Sequence, residues 1–296
     1  MLKAILNVLK QKRPVSYGVT PEEVHQYALQ AAKRARVGGG QFGQVYEVSP
    51  GVVVKEIGNE SKQKLLQEIN AQAKAAEMGI APRIQEATLG PLQTFGRTFP
   101  LEKGPNPRMR GEIQMQDLRE NYVPLGVNRG DVMAHYREPD FTGGPAPGAF
   151  TEYNPNLNQM QVKMAELNTH KQLAQLALKN INLTDRHAQN VFVNKMTGRP
   201  MQIDFGLSEQ ITNPTQKAAT LSMHVANGLK AAGLKEEAQI FLATTSKMLT
   251  TEPLMALDVA KQGLSRLQKI KPKDIEAIEK YNKNLQEIAY NSLPVG

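Results

Sequence analysis

Three side chains in the second half of the chain have the types and spacing to hold a metal–nucleotide complex. They are Asp185 and Asn190, within Asp185-Arg-His-Ala-Gln-Asn190, and Asp204, at the head of Asp204-Phe-Gly206. Magnesium takes hard oxygen ligands and keeps one or two protein groups beside the phosphates of a nucleotide. Asn190 and Asp204 suit that role, which leaves Asp185 to orient an attacking hydroxyl, and the chemistry is phosphoryl transfer. Taken alone, an Asp and an Asn five residues apart in a polar loop are commonly turn formers and caps. The flanking pattern says more: Val191-Phe-Val193 and Met201-Gln-Ile203 read as short strands joined by a turn at Met196-Thr-Gly198. Such a hairpin brings the two loops side by side.

Upstream, Val37-Gly38-Gly39-Gly40-Gln41-Phe42-Gly43-Gln44-Val45 sets glycines at 38, 40 and 43 among strand-forming residues, with Phe42 inside the run. Without Cβ atoms such a backbone can approach a polyphosphate closely and turn its N–H groups toward anionic oxygens. A dinucleotide fingerprint would need a helix opening on the last glycine. Here the chain alternates as a strand to Val48, turns at Ser49-Pro50-Gly51 and resumes with Val52-Val-Val54-Lys55, so the pattern is a β-hairpin. Lys55 is expected at the end of that second strand. A lysine emerging from a strand covered on both faces needs an anionic partner. The helix expected over 62–78 offers Glu68, bordering an apolar stripe of Leu65, Leu66, Ile69, Ala73 and Ala76. Glu60 lies too early and Glu77 too near the helix end, and Gly79 and Pro82 terminate the helix.

In this order and spacing, the glycine loop, strand lysine, helix glutamate, Asp-to-Asn loop and Asp-Phe-Gly resemble the protein-kinase-like superfamily over about residues 35–210. The resemblance implies an α+β, two-lobed fold with a small β-rich N-lobe and a mainly helical C-lobe. It also implies ATP and Mg2+ as cofactors. Gly38, Gly40, Phe42 and Gly43 would cover the phosphates, and Lys55, held by Glu68, would contact the α- and β-phosphates. Backbone at Gln116 and Leu118 in an inter-lobe hinge would meet the adenine, Asp185 would be the base, and Asn190 and Asp204 would bind the metal. The chain departs from regulated eukaryotic kinases in having Leu183-Thr184 before Asp185 and no Ala-Pro-Glu after Gly206. A phosphorylated activation loop is therefore not expected. The Asp-Arg-His wording is closer to phosphoinositide and other atypical kinases, and the trimmed N-lobe resembles compact bacterial effector and phage kinases. The acceptor this implies is Ser or Thr of a protein, a host protein being one candidate. AMP transfer, lipid or small-molecule acceptors and a silent nucleotide-binding scaffold are the alternatives.

Several elements must position these residues. An N-terminal helical extension is expected over 1–34, with a helix start at Thr20-Pro-Glu-Glu23. An N-lobe follows over 35–118 and a C-lobe over 119–296, with a long loop or insertion at 119–155. Amphipathic helices are expected at 158–178, 214–231, 235–248, 254–270 and 273–290. The 296 residues are enough to bury one such core without disulfides, and there is no cysteine, which excludes thiolate catalysis and cysteine zinc sites. The five histidines, at 25, 135, 170, 187 and 224, show no metal spacing. A net charge of +8 attracts polyanions, ATP among them, without the aromatic-interleaved motifs of a nucleic-acid module. Nucleic acid is thus not expected as the primary partner. No apolar run reaches a membrane span, and a soluble, cytoplasmic protein is expected, with the basic amphipathic residues 1–13 as a possible peripheral membrane contact.

Overall fold

The computed structural model describes residues 36–40, 43–90, 93–94, 97–98, 108–128, 151–185 and 188–291. The expectations for 1–34, for Phe42 and for His187 lie outside these residues. The fold is α+β, with antiparallel strand pairing throughout the described sheets. The chain divides into two compact units, one ending at Ala76 and taking up again over 82–120, the other made of 77–81 and 121 onward.

The first unit is built on β1 (Arg36–Gly40), β2 (Gly43–Ser49), β3 (Val52–Ser61), α1 (Lys62–Glu77) and β4 (Ile84–Gly90). The two-residue strands β5 (Gln93–Thr94) and β6 (Arg97–Thr98) and the long β7 (Arg108–Gln116) complete it. Five strands form one sheet in the order β1-β2-β3-β7-β4. In β7 every second residue is buried, Met109, Gly111, Ile113 and Met115, the period of a strand with one face against a core. That core joins Ile57 of β3 and Ile113 to Leu65 and Ile69 of α1.

Two expectations are corrected here. Lys55 is not at a strand end, because β3 runs on to Ser61. Its polar continuation is held by pairing with β7, where Arg110 reaches across to Glu56 at 2.8 Å and along its own strand to Glu112 at 3.0 Å. The buried stripe of α1 is also rotated from the apolar one: Leu65, Glu68, Ile69, Ala71, Gln72 and Ala75 are buried, while Leu66, Ala73 and Ala76 are only partly covered. Polar side chains occupy the inner face because buried partners meet them. Gln72 donates to the Met115 thioether at 3.2 Å, and Glu68 pairs with Lys55.

The second unit carries β8 (Tyr122–Pro124), β9 (Gly126–Asn128), β10 (Thr151–Tyr153), α2 (Gln159–Leu178), β11 (Ile181–Leu183), β12 (Val191–Asn194), β13 (Pro200–Gln202) and β14 (Ser208–Gln210). Four helices follow, α3 (Pro214–Ala231), α4 (Lys235–Thr251), α5 (Pro253–Lys269) and α6 (Pro272–Asn291). The sequence 119–155 is not all loop: β8 joins β12 and β13 in a three-stranded sheet and β9 pairs with β10. Strands of three residues are too short to show a period. Helix α2 starts on a capping box in which Asn158 and Gln161 satisfy each other's backbone N–H. Its buried Leu167 and Ala174 pack with Leu221, Val225 and Leu229 of α3, Leu264 and Leu267 of α5 and Ile275 of α6 in the larger core. Among the described residues no helix is long and apolar enough to cross a membrane.

Candidate functional site

In the first unit the strand alternation decides where Lys55 points. Lys55 lies opposite Ile113, and both share a face with Ile57, which packs under α1. On that face the Lys55 ammonium donates to Glu68 Oε1 at 2.7 Å, with side chains only 9% and 4% exposed. Glu60 instead takes Lys64 at 3.0 Å one helical turn on. Burying an isolated charge is prohibitive, and the Lys55–Glu68 pairing offsets the burial of both. Gly38 and Gly40 lie in β1 opposite Val45 and Gly43. A Cβ on Gly43 would stand 2.5 Å from the backbone oxygen of Glu56 and 3.4 Å from Lys55 Cε. Glycine at 43 therefore lets the hairpin close onto the strand that carries the lysine.

At the end of β7 the segment expected to meet a nucleobase is pinned to its own unit. Gln116 N–H donates to Arg83 O at 3.2 Å, Asp117 N–H to Gly51 O at 2.9 Å and Arg119 N–H to Asp117 Oδ1 at 2.9 Å. Gln116 thus has no backbone N–H to offer, and these three bonds pass over Leu118, which is buried. The Arg119 guanidinium bridges Asp117 and Glu47, each at 2.6 Å. Its hydrogen bonds hold the Asp117 carboxyl below the usual carboxylate range. Sequence spacing did not reveal this triad, since Glu47 is 72 residues away.

In the second unit Asp185, Asn190 and Asp204 come together through short, local connections. Asn190 is buried, and its Nδ2 donates to Asp185 Oδ2 at 3.1 Å and to the Asp185 backbone oxygen at 3.3 Å. With the nitrogen so engaged, the carboxamide oxygen is the remaining donor atom for a hard cation. Ile203 N–H donates to Asn190 O at 2.9 Å and so places Asp204 beside the Asp185 loop. Asp204 has φ +58°, a left-handed conformation few non-glycine residues adopt. Gly206 N–H donates to its carboxylate at 3.3 Å, a local bond of the kind that makes Asp tolerant of such turns. The turn leaves Asp204 half-buried and Phe205 fully buried.

Other positioning side chains lie outside the motifs. Gln202 donates to Gln172 Oε1 at 3.0 Å, and Gln172 donates to Pro200 O at 2.9 Å, tying β13 to α2 beneath Asp204. No sequence signal marks this pair, because the burial of all three β13 residues is known only once the strand is placed. Thr184, directly before Asp185, bonds Leu207 O through both its N–H and its hydroxyl. Among the described residues no group of three or more His, Cys, Asp and Glu side chains could hold a metal ion by itself. No family model matches the chain, and no curated protein shows significant similarity to it.

Proposed function

We propose that the chain is an ATP- and magnesium-dependent phosphotransferase that moves the γ-phosphoryl group to a hydroxyl, with Ser or Thr of a protein as the acceptor. The observation that supports this most is the Asp185–Asn190–Asp204 arrangement, in which the Asn190 side chain is oriented by its bonds to Asp185 and a backbone bond from Ile203 to Asn190 brings the Asp204 segment alongside. Its hard oxygen donors suit Mg2+, and beside nucleotide phosphates the metal would need only the one or two protein groups that Asn190 and Asp204 would supply. When bound, Mg2+ neutralises charge on the β- and γ-phosphate oxygens. Asp185 accepts the hydrogen bond of the attacking hydroxyl and holds it in line. Lys55, oriented by Glu68, would serve the α- and β-phosphates, and the hairpin that carries Gly38, Gly40 and Gly43 would cover them closely because it lacks Cβ atoms there. Of the hinge segment, Leu118 N–H is the donor suited to a nucleobase. The protein acceptor, and a host protein as one such acceptor, rest on the resemblance to compact effector and phage kinases.

Incubation with α- or γ-labelled ATP and an extract of candidate acceptors tests the reading. Only the γ-label should reach product, and Asp185→Asn or Asp204→Asn should each lower the rate about 10²- to 10⁴-fold. Neither change should shift the thermal midpoint. Transfer of the α-label would assign AMP transfer instead, and wild-type rates in both variants would dismiss the reading.

A further inference from the structure

Thr184 belongs to none of the motifs, yet it closes a ring of hydrogen bonds around them. Strands β11 and β14 pair in the register Ile181↔Gln210, Asn182↔Glu209 and Leu183↔Ser208, so Thr184 falls opposite Leu207. Its N–H donates to Leu207 O at 3.4 Å and its hydroxyl to the same oxygen at 2.5 Å. The backbone bond is long, and the hydroxyl makes the close contact. On the other side Ile203 N–H donates to Asn190 O at 2.9 Å. Asp204 therefore sits on a segment anchored at 203 and at 207. The anchors flank Asp185, one at 184 and one at 190.

The arrangement matters because Asp204 holds a left-handed backbone, φ +58°. A non-glycine residue there is held by its surroundings, at a cost of about 1–3 kcal/mol. On the C-terminal side the fixed points are Phe205, fully buried, the Ser208 N–H to Phe205 O bond at 3.0 Å, and Thr184. Of these only Thr184 reaches from the segment that leads out of β11 into Asp185. A threonine hydroxyl can make this bond, while a valine of the same shape cannot.

We propose that Thr184 is a positioning residue, its hydroxyl setting the placement of the metal-binding Asp204 relative to the base Asp185. This rests on the phosphotransferase reading above. Thr184 touches neither nucleotide nor acceptor and acts through Leu207.

The test is γ-label transfer by the full chain, with kcat, KM for ATP and half-saturating Mg2+ measured for wild type, Thr184→Val, Thr184→Ser and Asp185→Asn. Small misplacements of reacting groups cost about 10²-fold, so Thr184→Val should lower kcat about 10- to 100-fold and raise half-saturating Mg2+ about 5-fold. KM for ATP should stay within about twofold, because phosphate contacts that are equal in ground and transition states are untouched. Thr184→Ser, which restores the donor, should recover most of kcat. If Thr184→Val does not fold by circular dichroism, Thr184→Ala replaces it under the same criteria.

Wild-type kcat and Mg2+ dependence in Thr184→Val, with Asp185→Asn inactive, would overturn this inference alone. A loss not rescued by serine, or one with unchanged Mg2+ dependence, would reduce Thr184 to a structural residue and overturn it too. No γ-transfer by the wild type would overturn both this inference and the reading beneath it.

Discussion

The two units hold their functional side chains by opposite means. In the first, Lys55 and Glu68 come from a strand and a helix, and a buried ion pair joins them at 2.7 Å. In the second, Asp185, Asn190 and Asp204 lie within twenty residues of sequence and are set by backbone bonds, Ile203 N–H to Asn190 O and Thr184 N–H to Leu207 O. The first arrangement depends on charge balance and the second on the path of the chain. A side-chain change should therefore threaten the fold in the first unit and only the chemistry in the second.

The widest gap between the two should appear in the ion pair. Removing one partner of a buried pair leaves an uncompensated charge and costs about 3–5 kcal/mol, whereas replacing both by apolar groups of similar volume is often neutral. Lys55→Met and Glu68→Leu should each destabilise the first unit by about that amount, and the double variant should recover most of the loss. Because two units need not unfold together, native-state hydrogen exchange of β3 and β7 amides is the suitable measurement, with α3 and α5 as the internal reference. Asp185→Asn should leave exchange in both units unchanged. A double variant as unstable as the singles would show that packing around Lys55, not charge balance, secures the first unit.

How far this contrast was legible in sequence follows from how each unit is made. Helix α3 spans Pro214–Ala231, the expected bounds, because Asn213 caps it and Pro214 opens it, both local signals. The α+β class was expected from the order of the motifs, and the described strands and helices bear it out. The extension of β3 through Glu56, Gly58 and Glu60 was not, since Arg110 and its ion pairs to Glu56 and Glu112 come from a strand fifty residues on. Nor was the rotation of α1, where Glu68 and Gln72 face inward only because Lys55 and Met115 meet them. In the second unit the Asp185–Asn190–Asp204 cluster was readable as motif and hairpin, but the Thr184 hydroxyl and the Gln172–Gln202 pair were not. A hydroxyl or amide at a strand position carries no period until the opposing strand is known.

A smaller difference should appear at two crowded glycines. At Gly43 an added Cβ meets the backbone oxygen of Glu56 at 2.5 Å, and a ladder strand has no freedom to retreat. At Gly228, on α3, it meets Leu267 Cδ2 at 2.5 Å, the end of a side chain with other rotamers. Gly43→Ala should cost about 1–3 kcal/mol by overpacking. Gly228→Ala gains about 1 kcal/mol of helix propensity against its clash and should lose less. Native-state hydrogen exchange, read on β3 and β7 for Gly43→Ala and on α3 and α5 for Gly228→Ala, ranks them, and a larger loss at Gly228 would mean that the helical core is the more rigid of the two.

The smallest expected effect probes whether charge matters to the first unit at its surface as it does in its interior. Arg119 and Glu47 have side chains 44% and 39% exposed while that of Asp117 is 11% exposed, so solvent screens the triad from the guanidinium side and Asp117→Asn should cost about 1 kcal/mol, the upper end for exposed pairs. The pH dependence gives the sign. The guanidinium holds the Asp117 carboxyl below its ordinary value of 3.8, so the folded state binds that proton less readily than the unfolded chain. The stabilisation is present above that ordinary value and is lost as pH falls through the depressed one. The difference in stability between wild type and Asp117→Asn, followed by urea unfolding from pH 7 to pH 3, should hold steady and then narrow at the acid end. Added salt should shrink it across the whole range, whereas the Lys55–Glu68 contribution, shielded from ions by burial, should stay. A salt-insensitive Asp117 effect would place the Asp117–Arg119–Glu47 triad with the buried pair, and the first unit would then rest on charge from its core to its rim.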